Sequence, residues 1–232
     1  MLNLNDFHVL TFDCYGTLID WETGLWNSLR PIFGSHGITV PIEEALELYG
    51  ELEAAAERGP YQEYKAVLRR ALEGIGTRLG FQPTATELNQ FSMSVEDWPA
   101  FPDSPRALQA LKKKYKLAIL SNIDDDLFAF SNRRLEVQFD WIITAKQLQS
   151  YKPSLNNFQQ AMQRIAIPRE RILHVAQSLF HDIVPAKSLG LATVWVNRRK
   201  GKTGFGATPP VEATPDLEVP DLQTLARSAG VL

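Results

Sequence analysis

Residues that could carry nucleophilic and acid–base chemistry recur along the chain, each beyond the end of a short apolar segment. They are carboxylates, hydroxyls, amides and a lysine: Asp13, Thr17, Ser121, Asn122, Lys152, Gln177, Ser178 and Asp182. Carboxylates, a lysine and hydroxyl groups can together supply a nucleophile and a base. This chemistry is available only if the fold brings the residues to one place.

Short apolar segments alternate with amphipathic segments over most of the chain. The apolar segments predict five strands, at residues 9–12, 117–120, 141–143, 172–176 and 192–196. Helical periodicity predicts the elements that follow them, at residues 104–115, 124–134, 155–165, 182–189 and 221–228. Continuously apolar strands separated by helices are typical of a parallel sheet with helices on both faces. We therefore predict a doubly wound, Rossmann-like α/β core, with its ligand site at the carboxyl ends of the strands.

Residues 20–98 differ in character from the rest of the chain. Their long segments 42–58 and 61–79 have helical periodicity, with Pro41 at a helix start and a Gly-Pro pair between the two segments. We therefore predict a core formed by residues 1–19 and 99–232 and an α-helical cap formed by residues 20–98. The insert leaves the sheet just after Thr17, at the ligand-binding edge, so the topology places it over the site.

Composition limits the class of protein. The 232 residues are 44% apolar and 22% charged, with a net charge of −3, which is typical of a globular chain and gives no basic surface for nucleic acid. The one cysteine, Cys14, can form neither an internal disulfide nor a cysteine-based zinc site. No apolar run approaches the ~18 residues of a membrane span, and residues 1–8 do not resemble a secretory signal. We expect a cytoplasmic protein that binds neither nucleic acid nor membranes.

Four short motifs resemble those of the haloacid dehalogenase superfamily. In chain order they are Phe-Asp-Cys-Tyr-Gly-Thr-Leu at 12–18, Leu-Ser-Asn at 120–122, Tyr-Lys-Pro at 151–153, and Val-Ala-Gln-Ser-Leu-Phe-His-Asp at 175–182. The resemblance covers nearly the whole chain, and residues 20–98 correspond to the helical cap of the family. It implies a hydrolase that acts on a small anionic substrate.

Within that resemblance, Tyr15 separates two subfamilies. Phosphatases carry a second aspartate at this position to protonate the leaving oxygen, and a phenol of pKa ~10 is a poor general acid for that step. Their magnesium is held partly by an acidic residue of the fourth motif, where this chain has Gln177, a weaker ligand for a hard cation. Tyr15 instead matches the L-2-haloacid dehalogenases of type II, whose leaving halide needs no proton. The resemblance therefore implies a cofactor-free dehalogenase of short 2-haloacids. A magnesium-dependent phosphatase and a non-catalytic binding protein are the alternatives.

The resemblance also implies roles for individual residues. Asp13 attacks the α-carbon and forms an ester, which water hydrolyses to a 2-hydroxy acid. Lys152 keeps Asp13 ionised, because a nearby cation lowers the pKa of a carboxyl, and Asp182 orients Lys152 or activates the water. Thr17 and Ser121 orient Asp13 by hydrogen bonds. The groups expected to bind substrate or halide are the backbone amides near Tyr15 and Gly16, Asn122, Gln177 and Ser178.

The expected halide site departs from the family pattern. The cap of the family usually supplies an arginine to the halide, but residues 49–53 of this chain are glutamate and apolar. Arg58 or Arg30 would have to replace it. At a position where the family often has tyrosine, this chain has Phe158, which cannot donate a hydrogen bond.

Some polar residues are open to more than one interpretation. We expect His174 to be structural, and His181 to be either structural or part of the site. The aspartates at 124–126 are expected to cap a helix rather than bind a metal. A homodimer is common among proteins of this pattern, but the sequence does not decide the oligomeric state.

Overall fold

A six-stranded parallel sheet forms the centre of the protein in the computed structural model, which describes residues 2–232. The strands are β1 (Val9–Phe12), β2 (Lys116–Ser121), β3 (Trp141–Thr144), β4 (Ile172–Ala176), β5 (Ala192–Val196) and β6 (Leu217–Val219). Their order in the sheet is β3-β2-β1-β4-β5-β6. The connections change direction on either side of β1, which places a ligand crevice at the carboxyl ends of β1, β2 and β4.

Helices cover both faces of this sheet. The helices of the described chain are α1 (Trp21–Ser35), α2 (Ile42–Ala56), α3 (Tyr64–Leu79), α4 (Ala85–Met93), α5 (Ser104–Lys112), α6 (Asp125–Leu135), α7 (Ala145–Leu148), α8 (Leu155–Ile165), α9 (Val184–Ser188) and α10 (Leu222–Ser228). Of these, α5, α6 and α10 cover one face of the sheet, and α8 and α9 cover the other. Alternate residues of β2 point to opposite faces. Leu117 and Ile119 pack in the cluster that includes α5, α6 and α10, whereas Ala118 and Leu120 pack with α8 and α9. The predicted doubly wound α/β core is therefore confirmed.

Residues 21–97 contain helices α1 to α4 followed by a short 3₁₀ turn, and no strand. Local signals start two of these helices: the Asp20 side chain accepts a hydrogen bond from Thr23 N–H, and Thr84 forms a capping box with Glu87. Helix α3 ends at Gly80, whose φ of 78° is the left-handed conformation that favours glycine. The division of the chain at residues 19/20 and 98/99 stays a prediction. Within residues 2–232, no helix is both long and apolar enough to cross a membrane.

The secondary structure differs from the prediction in several places, and the short helix α7 is one element that was not predicted. Strand β6 was not predicted, and a π-helical turn at Leu179–Ile183 replaces the first part of the helix predicted at 182–189. Helix α5 includes Ser104 as its first residue, and the Ser104 hydroxyl donates to Leu18 O at 2.9 Å instead of capping the helix. That bond ties α5 to the loop after β1.

Asp124 caps a helix of the inserted segment instead of its own helix. Its carboxylate accepts hydrogen bonds from Tyr64 N–H at 2.9 Å and Lys65 N–H at 3.2 Å, at the start of α3, and makes no capping bond to α6. The core and the helical insert are thereby joined close to the end of β2.

We expect Asp124→Ala to lower the free energy of unfolding by about 1–2 kcal/mol, because α3 loses its capping acceptor. Urea denaturation measures the change. Asp126→Ala is the matched control, since Asp126 is half-exposed and makes only a surface ion pair with Lys65, which is worth about 0–1 kcal/mol. Equal stability of the Asp124 and Asp126 variants would contradict a capping role for Asp124.

Candidate active site

Asp13 lies where the chain leaves β1 at the centre of the sheet. Its backbone N–H still pairs with β4, donating to Val175 O at 3.1 Å. The chain then turns through Gly16, whose φ of 87° is left-handed and whose Cα lies against the Gln177 side chain. The turn lets the Thr17 hydroxyl donate to Asp13 Oδ2 at 2.6 Å. The Asp13 carboxylate is thus fixed at the carboxyl edge of the sheet.

Lys152 lies between two carboxylates and is 1% exposed. Its Nζ donates to Asp13 Oδ1 at 2.9 Å, to Asp182 Oδ1 at 2.7 Å and to Leu120 O at 3.0 Å. These acceptors use all three ammonium protons. Burial alone would lower the pKa of Lys152, but attraction to Asp13 and Asp182 outweighs it, so the pKa is raised. Lys152 is therefore a fixed, permanent cation.

The pKa values of the two aspartates around Lys152 move in opposite directions. Burial raises the pKa of Asp13 above its ordinary value, although Lys152 opposes this shift. Burial also acts on Asp182, but Lys152 and His174 hold the pKa of Asp182 below its ordinary value. Asp13 is therefore the more basic carboxylate of the two, and Asp182 is the counter-ion of Lys152.

His174 extends this buried network into the sheet. Its Nε2 bonds to Asp182 Oδ1 at 2.8 Å and its Nδ1 to Thr11 Oγ1 at 2.9 Å. The sequence predicts a structural histidine, and the side chain is fully buried, but it also contacts the counter-ion of Lys152. Sequence reasoning missed this contact. No local sequence pattern indicates it, because Asp182 lies eight residues after His174 and is brought back to it by the turn after β4.

Ser121, at the end of β2, has a buried hydroxyl with no hydrogen-bond partner among residues 2–232. It lines a cavity of about 40 Å³ above Asp13, together with Lys152 and Asp182. A water needs about 10–15 Å³ of such volume, so the cavity holds a few waters or a small substrate. A buried polar group without a partner is costly, and a polar ligand in this cavity would satisfy it.

Asn122 lies beside the cavity but is fully used within the protein. Its Oδ1 accepts from Lys152 N–H at 2.7 Å, and its Nδ2 donates to Lys152 O at 3.0 Å. The same Nδ2 lies 3.2 and 3.3 Å from the two carboxyl oxygens of Glu57. The sequence predicts donation to a halide or substrate, whereas this geometry makes Asn122 a clamp on the backbone of Lys152.

Tyr15 borders the cavity, but its hydroxyl bonds to Ser131 Oγ at 3.0 Å. Burial raises the pKa of Tyr15 far above its ordinary value, so the phenol is not a proton donor for a leaving group. Of the expected backbone donors, Gly16 N–H is already bonded to Ile19 O at 2.8 Å. The N–H groups of Cys14 and Tyr15 have no protein acceptor within residues 2–232.

Besides Asp182, three residues after β4 that the sequence associated with the site line the cavity: Gln177, Ser178 and His181. Gln177 N–H donates to Thr17 Oγ1 at 2.8 Å, which orients the hydroxyl that holds Asp13. Ser178 Oγ accepts from His181 N–H at 2.9 Å and bonds to His181 Nδ1 at 3.1 Å, so its main role is to shape the π-helical turn. Burial lowers the pKa of His181 to about 4. His181 is therefore neutral at pH 7, and its Nε2 is buried without a partner among the described residues.

The helical insert closes the cavity with four side chains: Trp21, Glu53, Glu57 and Tyr64. Neither Arg30 nor Arg58 lines it, and both are exposed. Neither arginine therefore takes the place of the cap arginine that the family resemblance led us to expect. Sequence reasoning noted glutamates in this region but did not place them in the site.

The residues present do not form an evident metal site. Across residues 2–232, no three His, Cys, Asp or Glu side chains converge in an arrangement that could hold a metal ion. Asp182 is the one carboxylate of the fourth motif, and its Oδ1 is hydrogen-bonded to both Lys152 and His174. The Gln177 amide lies against Gly16 and Thr208. A magnesium ion at this position would have to compete with Lys152 for its carboxylate ligands.

The fold and the site together define a class of protein: a hydrolase-type α/β core with an aspartate at the end of its central strand and a helical insert over it. The chain belongs to the haloacid dehalogenase-like hydrolase family, whose family model matches residues 7–190.

Related proteins extend the same likeness over nearly the whole chain. An (S)-2-haloacid dehalogenase of Pseudomonas putida is 29% identical and covers 92% of this chain and 93% of its own. A second (S)-2-haloacid dehalogenase, from Pseudomonas sp. (strain YL), is 28% identical and covers 93% and 91%. The solved structure of an L-2-haloacid dehalogenase from Xanthobacter autotrophicus, with chloropropionic acid covalently bound, is 21% identical. It superposes with a TM-score of 0.78, covering 95% of this chain and 97% of that one. The structural likeness supports the fold.

Proposed function

We propose that this protein hydrolyses the carbon–halogen bond of short 2-haloacids, with Asp13 as the nucleophile. The observation that carries the proposal is the site of Asp13 itself. Its carboxylate lines the cavity and is held by Lys152 and Thr17. The residue beside it is Tyr15, whose phenol is bonded to Ser131, and not a second carboxylate. That arrangement suits attack on carbon with an anionic leaving group, because no proton has to be delivered. The similarity to two (S)-2-haloacid dehalogenases supports it.

In the first step a carboxylate oxygen of Asp13 attacks the α-carbon. The new C–O bond forms as the carbon–halogen bond breaks, and the bonding pair leaves with the halide. Ser121 Oγ and the N–H group of Tyr15 are unpaired donors on residues that line the cavity, and they are available to the substrate carboxylate. Lys152 keeps Asp13 in place throughout this step.

In the second step water attacks the ester carbonyl of Asp13. The Oδ2 atom of Asp182 is buried without a partner in the described chain and borders the same cavity, so it can accept the proton of that water. As the tetrahedral intermediate collapses, the bond between the Asp13 carbonyl carbon and the substrate oxygen breaks, and that oxygen takes the proton from Asp182 to give the 2-hydroxy acid. The Asp13 carboxyl then loses the second water proton to solvent and is restored as a carboxylate. Oδ1 of Asp182 meanwhile stays bonded to Lys152 and His174, which fixes the orientation of the base.

Substrate size follows from the cavity. Its volume of about 40 Å³ corresponds to a few water molecules, so the site favours the shortest 2-haloacids, those with two or three carbons. We propose residues 20–98 as the cap that encloses the substrate and excludes water.

Halide release tests the proposal. We expect free halide from chloroacetate or 2-chloropropionate, at the same rate with magnesium and with a chelator, and little phosphate from 4-nitrophenyl phosphate. Both enantiomers of 2-chloropropionate and fluoroacetate complete the panel. Magnesium-dependent phosphate release without any halide would instead establish the phosphatase alternative.

A further inference from the structure

The cap side of the active-site cavity is acidic. Glu53 lies on the last turn of α2 and Glu57 four residues later, which puts both on one side of the helix end. Both line the cavity that Asp13 and Asp182 line from the core. Lys152 is the one lysine or arginine among the lining residues. With all four carboxyls ionised, this cavity would repel an anionic substrate.

Glu53 is enclosed by phenols. It is 4% exposed, and its Oε1 accepts hydrogen bonds from Tyr49 OH at 2.9 Å on its own helix and from Tyr64 OH on α3. Across the cavity it faces Asp13. Burial raises the pKa of Glu53 to about 7, and the charge of Asp13 adds to that shift against the effect of the two phenols.

Glu57 meets the core at Asn122. Both of its oxygens lie within 3.3 Å of Asn122 Nδ2, so one oxygen can accept that bond while the other carries a proton. Glu53 is its acidic neighbour and Lys152 its basic neighbour, with Tyr151 also nearby. Burial and the charge of Glu53 raise the pKa of Glu57 well above its ordinary value, although Lys152 and Asn122 oppose this.

The geometry of the first chemical step points to these groups. In an in-line displacement the leaving group departs on the side opposite the nucleophile, and Asp13 forms the core side of the cavity. The halide therefore leaves toward the cap. The side chains there are Trp21, Glu53, Glu57 and Tyr64, and the Tyr64 hydroxyl already donates to Glu53.

We propose that Glu57 is a neutral carboxylic acid that donates a hydrogen bond to the departing halide, with Glu53 as the neighbour whose charge limits this role. The inference rests on the proposed dehalogenase function. Asp13 supplies the electron pair to carbon and the halide takes the pair of the broken bond. Glu57 keeps its proton and shares it in an O–H···halide hydrogen bond. A carboxylic acid held neutral by its surroundings so that it can donate is a known device for stabilising developing charge.

The role of Glu53 predicts a pH dependence. Below pH 7 Glu53 is largely protonated and the cavity tolerates an anionic substrate. As pH rises through the pKa of Glu53, about 7, a negative charge appears beside Glu57 and the substrate. We therefore expect KM for 2-chloropropionate to rise above pH 7 while kcat changes less. Glu53→Gln, which keeps an oxygen acceptor for Tyr49 and Tyr64, is expected to remove that rise.

Glu57 itself is tested by two variants that differ in donor capacity. Glu57→Ala removes the donor, and we expect kcat to fall by about 100-fold, the usual loss for one donor to developing charge. Glu57→Gln keeps N–H donors and is expected to retain kcat within about tenfold. Glu51→Gln is the matched control on the same helix, because Glu51 is 61% exposed and pairs only with Arg78. Equal kcat in the alanine and glutamine variants, or a KM that does not change with pH, would overturn the proposal.

Infrared difference spectroscopy provides a readout that does not need turnover. At pH 6 we expect the wild type to show absorption of protonated carboxyl groups that is reduced in Glu57→Gln and unchanged in Glu51→Gln. If the wild type releases no halide from any haloacid, the proposed function fails even when this signal is present. If halide is released but Glu57→Gln leaves the signal unchanged, Glu57 is ionised and the inference alone fails.

Discussion

Asp13→Asn is expected to lower halide release by about 10⁵-fold, because a neutral amide is a far poorer nucleophile than a carboxylate. The substitution keeps the shape of the side chain and leaves Lys152 paired with Asp182, so the fold should persist. Halide release under saturating 2-chloropropionate measures the effect. Asp97→Asn is the control, since Asp97 is exposed on the 3₁₀ turn and does not line the cavity. A fall of less than about tenfold would be inconsistent with nucleophilic catalysis by Asp13.

Oxygen labelling separates an ester route from direct attack by water. In a single turnover in heavy-oxygen water, the ester route transfers a solvent oxygen to the Asp13 carboxylate, because water attacks the carbonyl of that side chain. Mass spectrometry of the peptide containing Asp13 detects it. Label that appears only in the 2-hydroxy acid would show that Asp13 acts as a base or a structural residue.

Five of the six strands, β1 to β5, could be predicted from sequence because each is short, largely apolar and followed by polar residues. β1 and β4 are buried along their whole length, which agrees with the largely apolar segments from which both strands were predicted. Strand β6 escaped prediction because only three residues, Leu217–Val219, form it at the edge of the sheet. The π-helical turn at Leu179–Ile183 depends on hydrogen bonds of Ser178 to His181, which no local pattern specifies.

The core side of the candidate site was easier to anticipate than the cap side. Parallel strands end at one edge, so Asp13, Ser121 and Asp182 had to approach one another. The cap side depends on how α2 and α3 pack over the core, which helical periodicity does not encode. The exposed and buried glutamates of α2 look alike in sequence. Only the fold shows that Glu51 is exposed while Glu53 is buried against Tyr49 and Tyr64.

Lys152→Met is expected to lower the free energy of unfolding by about 3–5 kcal/mol, because it removes one partner of a buried ionic cluster. Methionine nearly matches the length of lysine, so lost packing contributes little. Asp13 and Asp182 would remain, 9% and 1% exposed at their side chains, without the cation that now lies 2.9 and 2.7 Å away. Activity should also fall steeply, since Asp13 would no longer be held ionised and in place. Lys113→Met, at an exposed position at the end of α5, is the control for both readouts.

The pH dependence of the stability lost in Lys152→Met shows whether Lys152 stabilises the fold through its charge, paired with Asp13 and Asp182, or through packing. In the wild type, the lowered pKa of Asp182 contributes stability above the ordinary carboxyl pKa of 3.8, and this stability is lost as pH falls through the folded value. Without Lys152, burial raises the pKa of Asp13 and Asp182, so the folded state binds more protons than the unfolded state. The stability of Lys152→Met should therefore fall as pH rises from 4 to 8, and its deficit relative to the wild type should widen. Urea denaturation across that range measures the deficit, and adding Asp182→Asn should recover part of it at pH 8. A deficit that stays constant with pH, and that Asp182→Asn does not reduce, would mean that Lys152 stabilises the fold by packing alone.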